Sequence, residues 1–175
     1  MPDPTLSEAI MEARASAPVG VVEYHTLEIR HPAFTNPIRV VRGFDTLTAR
    51  LEATAPADPS TYVEFMAMPF DLIPPEVNAT GIPSMKITID NVSRVIGSSI
   101  EMALESTDLL EVTYRHFLST DLSMPQNNPP LTLKIMTVEM DAFKVTATAG
   151  FPTWQNRKFP TAAFTAEVFP GLVIS

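Results

Sequence analysis

Few residues in this chain are able to do acid–base or metal chemistry. Its 175 residues contain three histidines, twenty carboxylates and no cysteine. His25, His31 and His116 show no short helical spacing that would aim two imidazoles at one ion, and no H-E-x-x-H or Cys/His cluster occurs. His25 and His116 fall in segments that read as strands, where a histidine more often serves structure than ligation. The lack of cysteine excludes disulfides, cysteine-ligated zinc and iron–sulfur clusters. There is no G-x-S-x-G elbow, no G-x-G-x-x-G and no P-loop. Asp71, Asp90, Glu101, Asp121 and Asp141 are scattered, with no spacing that favours an acid/base pair. Residue chemistry alone therefore predicts a non-enzyme with no catalytic, cofactor-binding or metal-ligating residues.

The net charge of −8 argues against nucleic acid as the main partner, because phosphate binding needs a Lys/Arg surface. Arg39, Arg42 and Arg50 lie close in sequence and read as a solvated strand edge. No apolar run reaches the roughly 18 residues of a membrane span. The first twenty residues lack a basic start followed by an apolar core, so folding in the cytoplasm is expected. The sequons at Asn78 and Asn91 are weak matches, and the nine methionines read as fillers of core gaps.

These residues must be positioned by a mainly β architecture. Seventeen prolines against six glycines suggest many strand ends and ordered loops. Thr5 and Glu8 form a capping-box pattern that predicts a short helix within residues 1–18, with Leu6, Ile10 and Ala13 on one face. Val19–His31 and Ile38–Gly43 predict a hairpin around a proline-bounded turn, and another short strand is expected near Thr46–Glu52.

The central stretch Tyr62–Leu104 reads as a strand, a proline-braced loop, a second strand and an amphipathic helix. Met85–Asp90 alternates apolar and polar residues, then Val92, Val95, Ile96, Ile100 and Ala103 fall on one helical stripe. Asp90 or Asn91 stands where the N-cap is needed. Leu109–Leu118 predicts a further strand, and Ser123–Pro130 a turn. Leu131–Met140 and Phe143–Ala149 predict a second hairpin. About eight strands with one N-terminal helix and one packed helix imply a small β-barrel or sandwich spanning residues 19–150.

Residues 151–175 differ in composition. Phe151, Trp154, Phe159, Phe164 and Phe169 alternate with Pro152, Pro160 and Pro170, which suits an extended arm that plugs aromatic side chains into pockets. Phe151 and Trp154 are expected to cover the chain's own core, and Phe164–Ile174 to contact another chain.

Four blocks resemble a family of small phage and prophage tail proteins. They are Pro37–Val41 (PIRVV), Met68–Pro75 (MPFDLIPP), Ile87–Val92 (ITIDNV) and Phe169–Leu172 (FPGL). The layout is also distantly similar to the N-terminal domain of the lambda-type minor tail protein L, whose cysteine-rich C-terminal domain has no counterpart here. The resemblance implies a structural subunit of the tail tip, in or next to the baseplate hub, assembled in the bacterial cytoplasm and located in the virion. Its implied partners are distal tail, hub and central fibre proteins, with a homo-oligomer for which a trimer is favoured over a hexamer and a sixfold ring stays open. An acidic ring lumen would then repel DNA. The residues expected at interfaces are Leu72, Ile73, Pro74, Pro75, Phe159, Phe164, Phe169 and Leu172. A second expectation is a carbohydrate- or receptor-binding β-domain, with Trp154 as a stacking platform.

Overall fold

A computed structural model describes residues 6–73, 84–90, 94–104, 106, 108–141 and 144–151. The elements in chain order are α1 (Glu8–Ser16), β1 (Glu23–Arg30), β2 (Ile38–Val41), β3 (Leu47–Arg50), β4 (Tyr62–Ala67), β5 (Phe70–Ile73), β6 (Ser84–Asp90), α2 (Arg94–Leu104), β7 (Glu111–Leu118), β8 (Leu131–Met140) and β9 (Lys144–Gly150). The fold is mainly β, as the sequence predicts, with both expected hairpins (β1–β2 and β8–β9) antiparallel.

All nine strands join one sheet in the order β3-β4-β2-β1-β7-β8-β9-β6-β5. β4 and β5 are successive parts of one extended run interrupted at Met68-Pro69. The first part pairs with β2 in parallel and the second pairs with β6. The Met68 N–H continues the first pairing by donating to the Val41 carbonyl at 3.0 Å. This run therefore joins the two ends of the series β2-β1-β7-β8-β9-β6, and the sheet closes on itself as a barrel. Arg42 on one side of the seam pairs with Asp71 on the other at 3.2 Å. The sequence pattern places Phe70–Ile73 inside the proline-braced loop, whereas the structure makes it a strand. Pro69 has no N–H to give a ladder, but it tolerates extended backbone, and pairing resumes one residue later.

Strand alternation sorts β1 and β7 into two faces, and both are buried. Leu27, Ile29, Val112 and Tyr114 point into the barrel, where they pack with Val40, Phe70, Met85, Ile87, Leu133 and Ala147. Phe117 points outward into a second core with Val41, Leu47, Ala49, Leu51, Val63 and Phe65, which β3 and β4 lay over the barrel wall. Ile100 and Ala103 of α2 belong to the first core, so α2 closes the barrel end beside Ile29 and Leu110. The extra residue around Met136 shifts the β8–β9 register, a bulge that bends β8.

The first helix is capped by Ser7, whose Oγ accepts from the Ile10 N–H at 3.3 Å. Thr5 lies outside the described residues, as does the expected cap at Asn91. Ser7 also ties α1 to the loop before β8, donating its hydroxyl to Gln126 Oε1 at 2.6 Å and its N–H to the Gln126 carbonyl at 2.8 Å. Ile10 is fully buried beneath this junction. Among the described residues, no helix is long and apolar enough to cross a membrane.

Candidate functional site

The barrel end opposite α2 is polar. Inward-facing positions of β1 run Ile29, Leu27, His25, Glu23, changing from apolar to ionisable toward the mouth. In β7 the same face runs Val112, Tyr114, His116. The antiparallel register sets His25 directly opposite His116 and Leu27 opposite Tyr114. Four polar side chains from two strands thus converge at one rim.

Their contacts are short. His116 Nδ1 lies 2.6 Å from Glu23 Oε1, and His25 Nδ1 lies 2.6 Å from the Tyr114 hydroxyl. His25 Nε2 faces Glu23 Oε1 at 3.9 Å. The two imidazoles meet edge to face with centroids 4.9 Å apart, and His116 meets the Tyr114 ring at 4.4 Å. From α1, Arg14 clamps the Glu23 carboxylate with both Nε and a terminal nitrogen. Asn127 orders the strand behind the cluster: its Oδ1 accepts from the His116 N–H at 3.0 Å, and its Nδ2 donates to the Tyr114 carbonyl at 3.0 Å. Asn127 supplies these bonds beyond the point where β8 stops pairing with β7.

The environment sets the charges. Burial and the nearby His116 push the His25 imidazole down to about 4, against the partial opposition of Glu23, so it is neutral near pH 7. Burial alone would raise the Glu23 carboxyl. Hydrogen bonds from Arg14 and His116 and the nearby His25 outweigh it and hold the group below its usual range. Burial and the Glu23 charge push the Tyr114 phenol up, keeping it protonated. An ionised carboxylate, a neutral imidazole and a phenol therefore share one partly open rim.

The opposite face of the same strands carries a second charged cluster of a different character. Glu28 and Arg115 are fully buried. Glu28 accepts from Arg39 Nε at 2.8 Å and lies 3.4 Å from Arg30 Nε and 3.6 Å from a terminal nitrogen of Arg115. Arg115 in turn makes a two-pronged pair with Glu52, both contacts at 2.8 Å. Arg39 also reaches Asp58 and Arg30 reaches Glu111. The expectation that Arg39 belongs to a solvated strand edge is overturned, because its side chain is only 12% exposed and shared by two carboxylates. Every charge here faces an opposite one, which suits a role in fastening β3, β4 and the intervening loop to the barrel wall.

Two of the eight interface residues expected from sequence are described. Leu72 packs partly against the inner core from β5. Ile73, its neighbour, faces out and is 56% exposed. Pro74, Pro75, Phe159, Phe164, Phe169 and Leu172 lie outside the described residues, as does Trp154. Phe151, expected to cover the core, is 42% exposed. The histidine–glutamate–tyrosine rim is not among the sites that the sequence predicts. His25 and His116 stand far apart along the chain, and only the strand register makes them opposite. The available signal is a pair of ionisable residues two positions apart in each strand, Glu23 and His25 in one and Tyr114 and His116 in the other, which alternation puts on one face.

Residues 9–164 match the family described as a domain of unknown function (DUF1833), and the chain belongs to that family. No curated protein matches it.

Proposed function

We propose that this protein is a structural subunit of a bacteriophage tail tip, placed in the baseplate hub or the adjacent ring, and that it acts by assembly rather than catalysis. The observation that carries the reading is where the resembling blocks fall. Pro37–Val41 covers β2, Met68–Pro75 covers the closing turn and β5, and Ile87–Val92 begins in β6. Far apart in sequence, these runs are neighbours at the seam where the barrel closes. Resemblance gathered at one place in a fold supports a shared architecture, and with it the tail-tip role of the proteins resembled.

The outer wall beside that seam supplies a surface for assembly. Phe44, which follows β2, is fully exposed, and Ile73 projects from β5 beyond the Arg42–Asp71 pair. Exposed aromatic and aliphatic side chains of this size suit burial against a neighbouring subunit. On this reading the subunit forms a trimer and contacts distal tail, hub and central fibre proteins. The stretch Leu72–Gly81, which begins in β5, and the Phe159–Ile174 arm carry the contacts, and the assembled protein resides in the virion.

The test replaces Phe44 and Ile73 with serine in one variant, and Phe164 and Phe169 in another. Both should give tail-less particles on complementation of a deletion, with thermal unfolding of the purified chain unchanged. Normal tails from both variants would overturn the assembly surfaces. Unfolding of the arm variant would make the arm part of the core.

A further inference from the structure

We propose that Glu23, His25 and His116 form a binding site for one divalent transition-metal ion of the zinc class. The inference is independent of the tail-tip reading, since it rests on the barrel rim alone. One carboxylate oxygen and two imidazole nitrogens, one from each residue, lie within 4.8 Å of one another. Two histidines and a carboxylate form a donor set shared by zinc enzymes and non-haem iron sites, in which protein supplies three ligands and leaves positions open.

The separations bracket what an ion requires. Zinc bonds to nitrogen and oxygen of about 2.0–2.1 Å place tetrahedral ligand atoms about 3.3 Å apart. Here Glu23 Oε1 stands 2.6 Å from His116 Nδ1 and 3.9 Å from His25 Nε2. Side-chain shifts of about 1.5 Å or less, within staggered rotamers, bring all three into range. The backbone need not move, because β1 and β7 are paired along their full length.

Second contacts prepare the ligands. With its Nδ1–H donating a hydrogen bond to the Tyr114 hydroxyl oxygen, His25 would leave the Nε2 lone pair facing Glu23. His116 would bind through Nδ1, the nitrogen that now faces Glu23 Oε1, with the ion taking the place of that hydrogen bond. Asn127 holds the His116 backbone, fixing the strand that carries the second imidazole. Arg14 keeps one bond to Glu23 Oε2 while Oε1 turns to the ion.

Glu23 also lines a groove of about 350 Å³ together with Arg14, Ala17, Pro18, Val21 and Leu118, which gives the carboxylate end of the site access to solvent. Water or an external carboxylate can reach it there. Arg14, in direct contact with Glu23, opposes a cation at the site, as Arg42 does from farther away, and Arg14 sets the sign of a diagnostic result.

The test uses the full chain, with any affinity tag removed and chelator-treated, titrated with Co²⁺ and followed by visible absorption and far-UV circular dichroism. Ligand-field bands should saturate at one equivalent and be displaced by Zn²⁺. His25→Ala and His116→Ala should each weaken binding by about tenfold or more, while His31→Ala leaves it unchanged. Arg14→Gln, on an exposed part of α1, should tighten binding several-fold by removing a competing positive charge. Folded wild-type protein without a saturable band overturns the proposal whatever the variants do. Equal affinity of wild type and Arg14→Gln would move the ion away from Glu23 and overturn it as well.

Discussion

At the scale of single residues, the described part of the chain shows two ionic clusters on opposite faces of the same pair of strands, and they answer to pH and mutation differently. His25 is neutral in the folded protein because burial and His116 lower it from 6.5 to about 4. The unfolded chain therefore takes up the proton first as pH falls. This contribution to stability is complete above about pH 6.5, declines as pH drops toward 4 and is flat below that. Glu23, also lowered, adds loss in the same direction at more acidic pH. For metal-free protein, urea denaturation should show roughly 1–3 kcal/mol lost across this window, after discounting for the partly exposed ring. His25→Gln should flatten the profile between pH 6.5 and 4, and an unchanged slope would contradict the assignment. On the outer face, Arg115 is fully buried and depends on Glu52 for two hydrogen bonds. Glu52→Ala removes both hydrogen bonds from that buried guanidinium, leaves it the looser 3.6 Å contact with Glu28, and should cost about 3–5 kcal/mol in denaturant unfolding. A change below about 1 kcal/mol would mean that Arg115 finds another partner.

At the scale of elements, α1 is fastened by the buried Ile10, by its Ser7 cap and by the Arg14–Glu23 pair. Ile10 is fully buried, so Ile10→Ala should destabilise the protein by about 2–5 kcal/mol. Ser7→Ala should cost about 1 kcal/mol, since Oγ serves both the Ile10 N–H and Gln126. Both losses are read from chemical denaturation, and hydrogen exchange should show faster exchange in α1 with the β1–β7 ladder still protected. Elements are largely legible in the sequence. Alternation in Met85–Asp90 and the β8–β9 pair set the strands, because a half-buried strand must repeat every two residues. β5 is not legible, because Pro69 and the following prolines resemble a loop, and only pairing with β6 shows the run to be extended. The capping pattern at Thr5 and Glu8 points to the right helix, but Ser7 caps it, since its side chain reaches both the first turn and Gln126. The rim at Glu23, His25 and His116 is hidden for a different reason. A site built across two strands depends on register, and no local pattern in either strand encodes which residues will be opposite.

At the scale of the whole molecule, one extended run from Tyr62 to Ile73 closes the sheet, α2 fills one end of the barrel, and the other end is left polar beneath α1. The described parts of Pro37–Val41, Met68–Pro75 and Ile87–Val92, on which the proposed tail-tip role rests, lie along the closing seam, and Phe44 after β2 and Ile73 of β5 are exposed. A subunit with apolar side chains on its outer wall is suited to closed, symmetric association, which lets every copy bury the same patch. Central to this account is residence in a phage tail tip, and peptide mass spectrometry of purified particles from the phage or prophage that encodes the chain tests it most directly. With copy number scaled to the tail-tube protein, the account predicts about three copies in each intact particle. Abundant protein in the lysate with none in intact particles would contradict it.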